Sequence, residues 1–247
     1  STQFTFPVAT GPDLTHNGGA DAFVAKVHPQ GAGLLYAGFI GGSGYDEGTG
    51  IGQDRYGSLY VGGSSTSTEA TFPVLLGPDL TFNGGDSDAF VAKVNAGGSS
   101  LLYAGYIGGA AHDRASGLRV DPEGNAFIVG TTSSPEGSFP ISVGPDLTYN
   151  GGEDAFVSKV LPSGAHLAYA GYIWGVQQES GVQIALDAFG GAYVTGYTTS
   201  TQPSFPVRNG PDLTYNGSGD AFVSKVHPAG SQLDYSGYLG GNGLDAG

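Results

Sequence analysis

The chain has no cysteine, no methionine and one tryptophan among its 247 residues, and only 8 Lys+Arg stand against 22 Asp+Glu. Without thiols there is no disulfide framework, no thiolate metal ligand and no cysteine nucleophile. A net charge of −14 makes a nucleic-acid backbone an unfavourable partner. No apolar run approaches the roughly 20 residues of a membrane-spanning helix, and no signal peptide is visible, so membrane insertion is not expected. With 46 Gly and 14 Pro, a helical bundle is excluded, because each interior Gly costs a helix about 1 kcal/mol relative to Ala and each Pro about 3. The strict every-third glycine of collagen is absent. Disorder fits poorly with a composition that is 39% hydrophobic, 11% aromatic and 12% charged. The missing methionine implies an excised or processed segment rather than a primary translation product.

What is present is a repeat. Gly-Pro-Asp-Leu-Thr begins at Gly11, Gly77, Gly144 and Gly210, at spacings of 66, 67 and 66. Each copy leads through an aromatic residue or His and an Asn-Gly pair to Asp-Ala-Phe-Val, starting at Asp21, Asp88, Asp154 and Asp220. An apolar segment follows: Leu34 to Ile40, Leu101 to Ile107, Leu167 to Ile173, Leu233 to Leu239. Three copies continue into a further pair of apolar runs around Asp54-Arg55-Tyr56-Gly57, Asp121-Pro122-Glu123-Gly124 and Asp187-Ala188-Phe189-Gly190. Asp opening a turn accepts a local backbone hydrogen bond and Gly closing it supplies φ > 0, so Asp-x-x-Gly between strand-like runs predicts a hairpin.

Each period therefore holds four short strands in two hairpins, joined by a Ser/Thr/Gly/Pro-rich loop. Tandem units of four antiparallel strands predict an all-β fold of β-propeller-type blades, three full blades plus a half blade. A β-solenoid-like repeat array is the alternative. The whole of 1–247 reads as a single repeat region, with repeats at about 1–70, 71–138, 139–204 and 205–247. The hairpin equivalent to residues 182–199 is the one the four copies lack. This predicts a piece of a longer array or a protomer completed by a neighbouring chain.

These motifs resemble the bacterial SBBP-type β-propeller repeat. The resemblance is carried by Phe72-Pro73-Val74, by Tyr149 to Lys159, by Leu167 to Gly175 and by Asp121 to Ala126. It implies the propeller fold and names no activity. The departures are Trp174, where other copies have Gly41, Gly108 and Gly240, and Gly217-Ser218-Gly219 in one loop.

The four lysines of the chain, Lys26, Lys93, Lys159 and Lys225, all occupy one repeat position. The expectation is one structural ion pair per blade, with Asp13, Asp79, Asp146 and Asp212 as partners and the lysine stem laid along the sheet. The alternative is a ring of ammonium groups that binds an anion. The loop into Asp-Ala-Phe-Val concentrates oxygen ligands, Asp79, Asn83, Asp86 and Asp88 in one copy and Asp146, Asn150, Glu153 and Asp154 in another. Ca²⁺ takes 6–8 such oxygens; the competing reading is turn chemistry, in which Asp and Asn bind local backbone. Trp174 is a candidate for a subunit interface, for plain packing or for a sugar.

No catalytic constellation assembles. His28 and His227 alternate with Asn95 and Leu161 and read as turn residues. His16 alternates with Phe82, Tyr149 and Tyr215 and reads as an aromatic packing site. No Gly-x-Ser-x-Gly elbow accompanies His112 or His166. The expectation is a non-enzymatic extracellular or cell-surface bacterial scaffold without an organic cofactor. Its partners would be other protein subunits, copies of itself among them, with a calcium-assisted glycan-binding module as the alternative.

Overall fold

The computed structural model describes residues 5–173 and 175–245. Their strands are β1 (Ala22–Val27), β2 (Leu34–Ile40), β3 (Asp46–Gln53), β4 (Leu59–Ser65), β5 (Asp88–Val94), β6 (Leu101–Ile107) and β7 (Asp113–Val120). After these come β8 (Ala126–Thr132), β9 (Asp154–Val160), β10 (Leu167–Ile173), β11 (Glu179–Leu186), β12 (Ala192–Thr198), β13 (Asp220–Val226) and β14 (Leu233–Leu239). They form three four-stranded antiparallel sheets, β3-β4-β5-β6, β7-β8-β9-β10 and β11-β12-β13-β14, and one two-stranded sheet, β1-β2. This is the expected series of three full blades and a half blade.

The sheets run out of phase with the sequence repeat. Each blade takes its first hairpin from one period and its second from the next. The reason lies in the connections. The long loop, residues 66–87 in one copy, joins strands of the same sheet, whereas the short segment 41–45 crosses from one sheet to the next. Among the described residues the two-stranded sheet is β1-β2, which corresponds to the second hairpin of a full blade.

The Asp-x-x-Gly hairpins form as their residues dictate. Gly57 N donates to Asp54 O at 3.0 Å, Asp54 Oδ1 accepts from Tyr56 N and Ser58 N, and Gly57 sits at φ 88°. The long loop folds back across the last strand of its own blade, with Leu75 N donating to Ala104 O and Tyr106 N to Asp79 O, both at 2.8 Å. Glycine opens Gly-Pro-Asp because a Cβ on Gly77 would stand 2.3 Å from Gly105 Cα.

The apolar core lies between neighbouring sheets. Tyr60, Val91 and Tyr103 of one blade pack with Leu118, Ile128 and Phe156 of the next. With both faces covered, β5 and β9 are buried along almost their whole length instead of on alternate residues. The first strands of adjacent blades, β3, β7 and β11, lie against one another. Thr49 Oγ1 donates to Ala115 O at 2.8 Å across that contact.

Candidate functional site: the blade junctions and the lysine row

The Gly-Pro-Asp to Asn-Gly loop closes on itself. Asp79 Oδ1 accepts from Thr81 N at 2.9 Å and Oδ2 from Asn83 Nδ2 at 2.7 Å, while Asn83 N donates to Asp88 Oδ2 at 2.8 Å. The same relay links Asp146, Asn150 and Asp154, with Asn150 Nδ2 3.0 Å from Asp146 Oδ2 and Asn150 N 3.1 Å from Asp154 Oδ2. It recurs through Asp212, Asn216 and Asp220. Glu153 turns away to accept from Gln178 Nε2 at 2.7 Å, and Asp86 is exposed. Among the described residues no group of three or more His, Cys, Asp or Glu is arranged to hold a metal ion. The oxygen ligands expected for calcium, Asp79, Asn83, Asp86, Asp88, Asp146, Asn150, Glu153 and Asp154, are thus placed along these loops and not gathered around one point. Both oxygens of Asp79 and of Asp146, and one oxygen each of Asp88 and Asp154, accept hydrogen bonds in turns that close on the strand-opening Asp.

A carboxylate group that the sequence motifs did not pick out sits at each junction. Asp46, Asp113 and Glu179 open the first strand of each blade, and all three are buried. Asp113 Oδ1 accepts from Thr132 Oγ1, and its Oδ2 accepts from Ser134 Oγ at 2.8 Å and Gly109 N at 2.7 Å. Asp46 accepts from Ser65 Oγ, from Ser67 Oγ at 2.9 Å and from Gly42 N at 2.8 Å. Glu179 accepts from Thr198 Oγ1 at 2.8 Å. The Ser/Thr segments thus supply hydroxyls as well as linkage. The only available signal was an acid followed by a Ser/Thr-x-Ser triplet in each blade.

These acids face the strand-opening Asp of the preceding blade. Burial is the main cause that pushes Asp88 and Asp154 up to about 7, with the negative charges of Asp113 and Glu179 respectively adding to it. Asp88 Oδ1, Asp154 Oδ1 and Asp220 Oδ1 are buried without a hydrogen-bond partner among the described residues. A carboxyl that keeps its proton near neutrality relieves this crowding of like charges.

The lysines do form ion pairs, but not with the loop aspartates. Lys93 Nζ lies 3.2 Å from Asp54 Oδ2, Lys159 3.9 Å from Asp121 Oδ2 and Lys225 2.8 Å from Asp187 Oδ2. The partners are the aspartates of the Asp-x-x-Gly turns; Asp79, Asp146 and Asp212 are engaged in their own Asx turns. Strand register is the cause. β4 sets Tyr60 opposite Lys93, β8 sets Phe127 opposite Lys159 and β12 sets Tyr193 opposite Lys225. The ammonium then sits over the ring, 4.7, 4.8 and 4.9 Å from the centroids, within reach of the turn Asp. For Asp187 the hydrogen bond from Lys225 is the largest cause holding the carboxyl down at about 2. For Asp54 burial pushes upward, but Lys93 and the amides of Ser58 and Tyr56 together hold it below its ordinary value. Among the described residues Lys26 has no ion pair.

His16, Phe82, Tyr149 and Tyr215 pack on Phe39, Tyr106, Tyr172 and Tyr238 with ring centroids 5.7–6.0 Å apart, so this is an aromatic packing position. His28 and His227 accept backbone hydrogen bonds in their turns. Trp174 lies outside the described residues. A cleft of about 470 Å³ opens between the hairpin turns of adjacent blades, lined by Asp121, Asn125, Lys159, Asp187 and Phe189 among others.

No curated protein matches the chain. A family model described as SBBP, beta-propeller repeat, matches residues 37–69, which run from within β2 through β3 and β4 into the long loop. That stretch contains one Asp-x-x-Gly hairpin and one junction carboxylate, and its four-stranded setting recurs in every full sheet described above. Residues 37–69 are thus similar to the SBBP β-propeller repeat.

Proposed function

We propose that the chain is a non-enzymatic structural and protein-interaction scaffold, acting outside a bacterial cell or on its surface as part of a larger assembly. One observation carries the reading. In the three full blades the side chains with chemical potential, four rows of acids and one of lysines, are engaged in the same internal contacts. Function then falls to what the blades display, and many weak contacts on a stiff array act together. Other protein subunits are the partners in this reading; nucleic acid, membrane insertion and an organic cofactor have no part in it. Sedimentation velocity over a wide concentration range, run beside a panel of ester and glycoside substrates, tests it. Assembly without turnover is the expected result, and a persistent monomer that turns over substrate overturns it.

A second reading, a glycan-binding module, is favoured by the cleft between adjacent hairpin turns. It combines acids, an amide and a lysine with Phe189, which is 87% exposed. An exposed aromatic beside hydrogen-bonding groups suits the face of a sugar ring. A glycan array probed with and without calcium separates the two readings.

A further inference from the structure

We propose that Lys159 and Asn125 are the two ends of an intramolecular isopeptide bond, formed by the folded chain itself with Asp121 as the proton carrier. The three residues meet at the hairpin turn of the β7–β10 blade. Asp121 accepts twice from Asn125, its Oδ1 from the backbone N at 2.8 Å and its Oδ2 from Nδ2 at 2.7 Å. The same Oδ2 lies 3.9 Å from Lys159 Nζ. One carboxylate oxygen thus holds the amide and faces the ammonium. Strand register brings the two reacting side chains within reach. Phe127 of β8 stands opposite Lys159 of β9. Asn125, two residues before Phe127, falls on the same side of the strand and is the diagonal neighbour of Lys159. Diagonal partners are about 7–8 Å apart, a span that a long side chain crosses.

Ser58 and Gly191 occupy the place of Asn125 in the other two full blades. There Lys93 and Lys225 approach their turn aspartates to 3.2 and 2.8 Å; here the amide takes the oxygen and the ammonium stands back. The site is largely closed to water. Asp121 is 8% and Asn125 9% exposed, and the ammonium lies 4.8 Å from the centre of the Phe127 ring. Tyr60 of the preceding blade covers the turn, donating to Gly124 O at 3.0 Å. In the reaction Asp121 takes one proton from the Lys159 ammonium. The freed Nζ lone pair attacks Asn125 Cγ, and the C=O pair moves onto Oδ1. A second Nζ proton passes through Asp121 to Nδ2. The C=O bond then re-forms, the Cγ–Nδ2 bond breaks, and ammonia leaves with the proton that Asp121 still holds. The products are a Cγ–Nζ amide, an ammonium ion and the original carboxylate, so no oxidant, reductant or co-reactant enters. Holding amine, amide and carboxylate at one turn makes the step unimolecular. The cleft lined by Asn125 and Lys159 gives ammonia its way out.

The inference goes beyond the scaffold reading and stands without it. The test is the intact mass of the purified full chain, followed by trypsin digestion in urea. The expected mass is about 17 Da, one ammonia, below that of the sequence. Trypsin should no longer cut after Lys159, because its Nζ has become an amide. Lys159→Arg keeps the charge over the Phe127 ring, and Asn125→Ser copies the turn that holds Ser58; each should restore the full mass. Asp121→Ala should also leave the two ends unlinked, and thermal melts check that all three variants fold. A chain of full sequence mass that trypsin cuts after Lys159 overturns the proposal. A loss of about 17 Da with that cut intact also overturns it, by placing the lost ammonia at an Asn-Gly loop. So does a loss of about 18 Da, which is water from a lysine–aspartate condensation, and so does any loss that persists in the Asn125→Ser chain.

Discussion

Lys93 and Asp54 meet across the β4–β5 register, Nζ to Oδ2 at 3.2 Å, with the ammonium 4.7 Å from the centre of the Tyr60 ring. Tyr60 in turn donates its hydroxyl to Asp54 Oδ2 at 3.1 Å. Three side chains from two hairpins thus close one node, and both charged members are largely withdrawn from solvent. Removing one partner of such a pair leaves an uncompensated charge. Lys93→Ala is expected to destabilise the chain by about 2–4 kcal/mol, measured by urea unfolding. Lys225→Ala, whose pair is the more exposed, should cost less and be more sensitive to salt.

The junction carboxyls set a dependence on pH. Asp88 and Asp154 keep a proton up to about 7 in the fold, against an ordinary value of 3.8. Between these values the folded chain holds more protons than the unfolded one, so stability falls as pH rises from about 4 to about 7 and is level above that. Each site contributes a slope worth on the order of 4 kcal/mol in total. Asp187 acts in the opposite sense, its contribution being lost only as pH falls from 3.8 through about 2. Melting temperature against pH should therefore peak near pH 4. Asp88→Asn should flatten the decline and raise the melting temperature at about pH 8.

Glycine at the centre of each second strand is a packing requirement. A Cβ on Gly130 would lie 1.9 Å from Arg114 O and 2.7 Å from Phe156 Cε1, beside the register shift between Ala115 and Gly117. Gly130→Val is expected to destabilise by about 3 kcal/mol or more, read from thermal or urea unfolding.

The half blade predicts unequal costs for equivalent residues. Phe90→Ala empties a closed site and should cost about 3–5 kcal/mol. Phe23→Ala, at the same repeat position on an open edge, should cost less than about 1 kcal/mol. Equal losses would show that β1 is covered in the isolated chain.

Much of this fold is legible in the sequence because the turn chemistry is local. Asp54 and Gly57, three residues apart, announce their hairpin, and the alignment of Asp-Ala-Phe-Val copies locates β1, β5, β9 and β13. The lysine partners were not legible. Asp79 is nearer to Lys93 in sequence than Asp54 is, and only the pairing of Tyr60 with Lys93 reveals which one the ammonium reaches. Sheet membership was hidden for the same reason, since nothing local tells whether residues 66–87 or residues 41–45 cross between sheets. Asp46, Asp113 and Glu179 escaped notice because the buried hydroxyls that single them out lie a whole hairpin away.

The offset between sequence period and sheet has a consequence for how such a chain changes length over generations. Every junction is built from the same acids, hydroxyls and glycines, and every sheet is assembled from two successive periods. An unequal crossover between adjacent copies, wherever within the period it falls, removes or inserts one whole sheet and leaves the flanking junctions with their proper partners. A duplication that is not a multiple of the period would set the wrong strand beside Lys93 or Phe90. Growth and shrinkage of the array are therefore quantised by the register itself, and blade number can drift while blade chemistry stays fixed.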